Sequence, residues 1–133
     1  MTAAVEFSRV SRHFGSAKAV DRVDLSIAEG TFFAMLGPSG SGKTTCLRLI
    51  SGFETPTEGE IRIFGQDVSA ISPNRRNVNT VFQDYALFPH MTVRENVAYG
   101  LMVKGVDKKP REARAEDLLA LVKLEGYGDR KPA

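Results

Sequence analysis

The densest chemistry in this 133-residue chain is Gly37-Pro38-Ser39-Gly40-Ser41-Gly42-Lys43-Thr44, a full match to G-x-x-x-x-G-K-[ST]. Each residue type there has a physical task. Glycines reach positive φ and leave no Cβ between backbone and ligand. Successive amide N–H groups then converge on phosphate oxygens as an anion nest, backed by the ~+0.5 charge of a helix N-terminus. Lys43 supplies a mobile charge for the β and γ phosphates. The Thr44 hydroxyl is an oxygen ligand for Mg²⁺, which keeps most of its waters and shares the phosphates. The candidate nucleotide-binding residues are therefore Gly37, Ser39, Gly40, Ser41, Gly42, Lys43, Thr44 and Thr45. With Gly at ~7% of residues, such a match arises by accident on the order of once in a few hundred chains of this length. The motif describes a nucleoside-triphosphate site without choosing among kinases, GTPases, helicases and transport ATPases.

Such a loop must sit between a strand and a helix. Thr31 to Leu36 is continuously apolar, which predicts a strand buried on both faces. A helix is expected from Lys43 to Ser51, with Gly52 as its stop and Leu47 and Ile50 three apart. Earlier in the chain Val5, Phe7 and Val10 alternate loosely, Val23, Leu25 and Ile27 alternate cleanly, and Glu29-Gly30 ends that strand. Further strands are expected at Gly59–Phe64 and Val78–Phe82. Thr92-Val93-Arg94-Glu95 fits a capping box and opens a helix to about Val103, closed by Gly105. Pro110 suits the first turn of a last helix, with Leu118, Leu119 and Val122 on its apolar side.

Composition removes several alternatives. At 42% hydrophobic and net charge +2, the chain is neither low-complexity disorder nor strongly basic, so a nucleic-acid surface has little support. The pair Arg75-Arg76 is expected to be solvated. One cysteine, Cys46, rules out a disulfide scaffold and is expected to be a small buried side chain. No apolar run approaches the ~18 residues of a spanning helix, and residues 1–6 do not form a signal peptide. The expectation is a soluble intracellular domain.

Beyond the loop, Thr57-Glu58-Gly59-Glu60-Ile61 and the run from Val81 to Val97 (VFQDYALFPHMTVRENV) resemble the ATP-binding subunits of ABC importers, most closely the polyamine (spermidine/putrescine) group. The resemblance covers essentially the whole chain. It implies an α/β P-loop NTPase fold with an antiparallel β subdomain, a partial parallel core sheet and the start of a helical subdomain. The implied division is a β-rich nucleotide-binding core over residues 1–91 and the helical part over 92–133. The cofactors implied are ATP and Mg²⁺. Phe14 matches the aromatic that stacks on the adenine, and Gln83 matches the glutamine that touches Mg²⁺ or the attacking water. Lys43 and Gln83 are thus contributory catalytic groups, and Thr44 and Gln83 the metal contacts. The Gln83–His90 segment, with Tyr85, Leu87 and Phe88, is implied to meet the permease, although core packing is an equal rival for these side chains. A second copy of the subunit is the other implied partner, and the location is cytoplasmic, peripheral on the inner face of the membrane.

The family also carries an LSGGQ-type signature, an apolar strand ending in Asp-Glu and a switch histidine, and these 133 residues contain none of them. Gly126 to Ala133 resembles the stretch just before the signature, so the sequence is expected to stop partway through its domain. ATP would then be gripped on one side, turnover would be very low, and the uncovered strand at 32–36 would invite self-association. A small P-loop kinase, a soluble ABC ATPase acting on nucleic acid and a non-catalytic nucleotide binder are the alternatives. A β-rich section before the loop disfavours the kinase.

Overall fold

The computed structural model describes residues 2–82, 84 and 86–133. They form two compact units, Met1–Thr80 and Val81–Ala133. In the first, β1 (Ala3–Phe14) and β2 (Ala17–Ala28) make an antiparallel hairpin around Gly15-Ser16. Two more strands, β3 (Glu58–Ile63) and β4 (Gln66–Asp67), extend it to a sheet ordered β2-β1-β3-β4, antiparallel throughout. Both neighbours of Phe7 in the register are apolar, Leu25 on β2 and Ile61 on β3. Helix α1 (Lys43–Ser51) adds Leu49 to a core of Phe7, Val10, Val20, Ile61, Ile63 and Val68. Cys46 and Ile50 pack against it, whereas Leu47 is exposed. Burial pushes the Cys46 thiol pKa up, in keeping with a small core side chain.

Two expected strands do not form. Residues 31–36 and 78–82 make no ladder among the described residues, so the parallel core sheet is absent there. Phe32 is 97% and Leu36 89% exposed. The apolar run is suited to a central strand, but a strand needs neighbours to receive its N–H and C=O groups, and no described strand flanks this one.

Arg76 is the other departure. It is not solvated but 6% exposed. Its Nε donates to Ile71 O at 2.8 Å, and its Nη1 to Leu49 O at 2.7 Å and Ile50 O at 3.1 Å. These last carbonyls belong to the final turn of α1, where a helix has no acceptor-satisfying partners of its own and carries partial negative charge. Burial lowers the Arg76 pKa. Gly52 closes α1 at φ 96, and a Cβ there would lie 2.7 Å from Arg76 Nε.

In the second unit, α2 (Val93–Val103) and α3 (Lys108–Leu121) bury Ala98, Ala115 and Leu119. Val122 lies beyond the last turn and is 61% exposed, so it does not join the apolar side expected of it. The capping box forms: Glu95 N donates to Thr92 Oγ1 at 3.1 Å and Thr92 N to Glu95 Oε1 at 3.0 Å. The next two amides of α2 are met from the C-terminal segment, Val93 N by Arg130 O at 2.8 Å and Arg94 N by Gly128 O at 3.0 Å. Arg94 itself bridges Glu116 and Asp129, which hold its guanidinium more firmly protonated.

This end of α2 has a measurable pH signature. Hydrogen bonds from Thr92, aided by Lys131 and Lys108, hold the Glu95 carboxyl below its ordinary value of 4.5. A depressed folded pKa means that the unfolded chain takes up the proton first. The contribution of Glu95 is therefore present above pH 4.5 and is lost as pH falls through the lowered value. Thr92→Ala is expected to cost about 1 kcal/mol in urea unfolding at pH 7. Glu95→Gln is expected to flatten the acid limb of a helical circular-dichroism titration below pH 4.5.

Candidate functional site

The loop ahead of α1 is built as its sequence demands. Ser41 N donates to Pro38 O at 3.1 Å, which closes a turn, and Cys46 N donates to Gly42 O at 2.9 Å, which starts the helix. Gly42 is the residue before the helix, at φ 94, and a Cβ on it would stand 2.5 Å from Ala19 O. Only glycine combines that backbone conformation with that approach to β2. Gly40 lies at φ 81 in open space. The Lys43 ammonium folds back to donate to the carbonyl of Gly37, so it lies over the loop that precedes it.

The donors left over are the chemically informative ones. Lys43, Thr44 and Thr45 open α1, and their amides have no acceptor within the helix. Among the described residues no other backbone carbonyl accepts from them, and the Thr44 and Thr45 hydroxyls make no hydrogen bond. The helix N-terminus adds its partial positive charge and Lys43 a full one. Ser39 and Gly37 sit on the same loop. The arrangement can hold an anion at the helix N-terminus, and the exposed Thr44 residue offers a hydroxyl oxygen to a hard cation. Among the described residues no cluster of three or more His, Cys, Asp or Glu could hold a metal by itself, so a cation here would lean on the phosphates.

Phe14 falls at the same end of β2 as this loop. It pairs with Ala17 in the hairpin register, and the loop touches β2 at Ala19, two residues further on. At about 3.3 Å per residue, the two points are roughly 7 Å apart along the strand. Phe14 is 44% exposed, with the Arg12 guanidinium 4.6 Å from its ring centroid. The spacing of Phe14 from the loop in sequence gave no hint of this proximity; it depends on the hairpin register.

Gln83 and Tyr85 lie outside the described residues. Of their neighbours, Asp84 and Leu87 are exposed, while Phe88 packs on Tyr99 at 4.7 Å between ring centroids. Asn96 pins that segment, accepting from Phe88 N at 2.8 Å and donating to Phe88 O at 3.1 Å and Thr92 O at 2.9 Å. Sequence reasoning passed over Arg12 and Asn96 and took Arg76 for a solvated charge. Their roles come from long-range contacts, for which no local signal exists.

A family model described as ABC transporter matches residues 20–133. The chain belongs to the ABC transporter family. An ABC transporter ATP-binding protein of Escherichia coli K12, YdcT, described as uncharacterized, is 61% identical over the whole chain, which spans 40% of that relative. The spermidine/putrescine import ATP-binding protein PotA of Rubrobacter xylanophilus is 53% identical over 98% of the chain and 34% of its own length. PotA of Mesorhizobium japonicum is 52% identical over 98% of the chain and 37% of its own length. The chain thus spans well under half the length of these ABC relatives. An ATP-binding cassette solved as a dimer in a post-hydrolysis state with ADP and Pi superposes with a TM-score of 0.78 at 32% identity, covering 96% of this chain and 61% of that one. The ABC ATPase fold class implied by the sequence is therefore that of the solved cassettes, here as a partial α/β domain with an antiparallel sheet and helices.

Proposed function

We propose that the chain is the nucleotide-binding part of the ATP-binding subunit of an ABC importer, and that the loop from Gly37 to Thr45 holds the triphosphate of ATP with Mg²⁺. The observation that carries this reading is the set of amides at Lys43, Thr44 and Thr45, without an acceptor among the described residues, beside the Lys43 ammonium. In it, Gly37, Ser39, Gly40, Ser41 and Gly42 wrap the phosphates, Lys43 neutralises them and Phe14 stacks on the base. The Thr44 hydroxyl and the Gln83 amide oxygen would hold Mg²⁺, which supplies charge neutralisation between the phosphates. The reading treats the chain as a single, incomplete ABC ATPase domain, with a β-rich nucleotide-binding core over residues 1–91 and the start of the helical subdomain over 92–133.

A polyamine such as spermidine or putrescine is the proposed cargo of the whole transporter, on the strength of the PotA relatives. The proposed partners are a second copy of the subunit, as in the dimeric cassette, and permease subunits contacting the Gln83–His90 segment. Among the described residues no helix is long and apolar enough to cross a membrane, and a peripheral position on its inner, cytoplasmic face goes with the permease contact. These 133 residues contain no apolar run ending in an acidic pair to activate water, so they are proposed to bind ATP and hydrolyse it poorly. Their uncovered 31–36 segment is proposed to associate with other copies.

Isothermal titration with Mg²⁺-ATP, alongside a phosphate-release assay, tests the reading. Saturable heat with release far below one turnover per second is expected. An absence of heat from a folded chain would remove the nucleotide site, and rapid release would remove the proposed shortfall in catalysis.

A further inference from the structure

Arg12 is held by three groups at once. Its Nη1 donates to Thr55 O at 3.1 Å, its Nη2 pairs with Glu54 Oε2 at 3.1 Å, and its Cζ stands 4.6 Å from the centroid of the Phe14 ring. The hydrogen bond from Nη1 and the ion pair at Nη2 fix a flat, forked group in both position and tilt, which an ammonium could not match. Its Nε is buried with no hydrogen-bond partner among the described residues, a cost that a freely rotating arginine would avoid. The rigid guanidinium thus covers one side of Phe14 and limits how the ring can turn. Nearly half of Phe14 stays exposed, at the end of β2 where the phosphate loop docks.

We propose that Arg12 is a positioning residue for the nucleotide base: it locks Phe14 so that the free face of the ring receives a purine while the phosphates lie in the loop. This rests on the nucleotide reading of the loop. A cation on one face draws ring π density toward itself, which makes the opposite face a better partner for an electron-rich purine. Glu54 anchors the guanidinium and itself lies 3.9 Å from Arg48, so the base platform is tied to α1 through charged side chains.

The test separates base from phosphate. Mg²⁺-ATP and Mg²⁺-tripolyphosphate are titrated calorimetrically into the 133-residue chain and into Arg12→Ala and Arg12→Gln. The glutamine keeps a planar donor for Thr55 O without the charge, and so covers the case in which the alanine variant fails to fold. The expected result is a five- to tenfold weaker Kd for ATP with tripolyphosphate unchanged within twofold, the size of a partly desolvated cation–π contact. Equal weakening of both ligands would mean that Arg12 supports only the hairpin, and no change in either would leave it without a role; each overturns the proposal. So does an unaltered chain that binds tripolyphosphate as tightly as ATP, because the base then adds nothing. If that chain binds neither ligand, the loop reading itself fails and this proposal with it.

Discussion

Lys43→Ala is expected to weaken Mg²⁺-ATP binding by about 30- to 140-fold, the equivalent of 2–3 kcal/mol for a charge-assisted contact to phosphate. The side chain is well placed for so large an effect. Among the described residues its ammonium reaches the Gly37 carbonyl alone, a neutral acceptor that an oxyanion outcompetes. The fold should barely notice the change, since Lys43 is partly exposed at the first turn of α1, where alanine is a good helix former. Urea midpoints of the two proteins should therefore agree within about 0.5 kcal/mol. Arginine is not expected to restore affinity, because its broad fork does not fit a point contact. Equal calorimetric affinities for Lys43→Ala and the unaltered chain would contradict the loop's role, whatever the fold.

Arg76→Ala is expected to be the most damaging change to stability, at about 3 kcal/mol. Three carbonyls, of Ile71, Leu49 and Ile50, would lose their donor together. Each loss at a buried acceptor costs about 1–3 kcal/mol, partly recovered where water can enter. Relief of the desolvated charge offsets some of this, since burial already disfavours the protonated guanidinium. In a unit of this size the net change should lower the thermal midpoint by on the order of 10–20 °C. Arg76→Lys should recover a minority of the loss, because one ammonium cannot reach carbonyls on both sides as the guanidinium does. A drop below about 1 kcal/mol for Arg76→Ala would show that the helix end is satisfied by solvent instead.

Much of the frame could be read from residue order. The hairpin strands, α1 with its glycine stop, and the capping box at Thr92 all follow from local rules, and local rules suffice where neighbours in sequence are neighbours in space. The glycine-rich loop was equally legible as a backbone shape, because glycine at fixed spacing writes its conformation. Residues 31–36 failed for the opposite reason. Their apolar run describes what the segment needs around it, and a ladder is made by partners rather than by the segment. Arg76 was misjudged because a charge pair in a polar stretch is ordinarily solvated, and two of its three acceptors lie 26 and 27 positions earlier. Phe14 was singled out by resemblance, but its distance from the loop is a property of the β1–β2 register and of the contact between Gly42 and Ala19.

The clamp on the front of α2 joins parts that are far apart along the chain. Carbonyls of Gly128 and Arg130 cap its first amides, Lys131 donates to His90 O at 2.9 Å, and Asn96 grips Phe88. One helix end is thereby knotted to both the stretch that leads into it and the tail of the unit. Any pull on residues 88–92 is felt at residues 128–131 without passing along the intervening polypeptide, so the pair works as a short crank rather than as two loose strings.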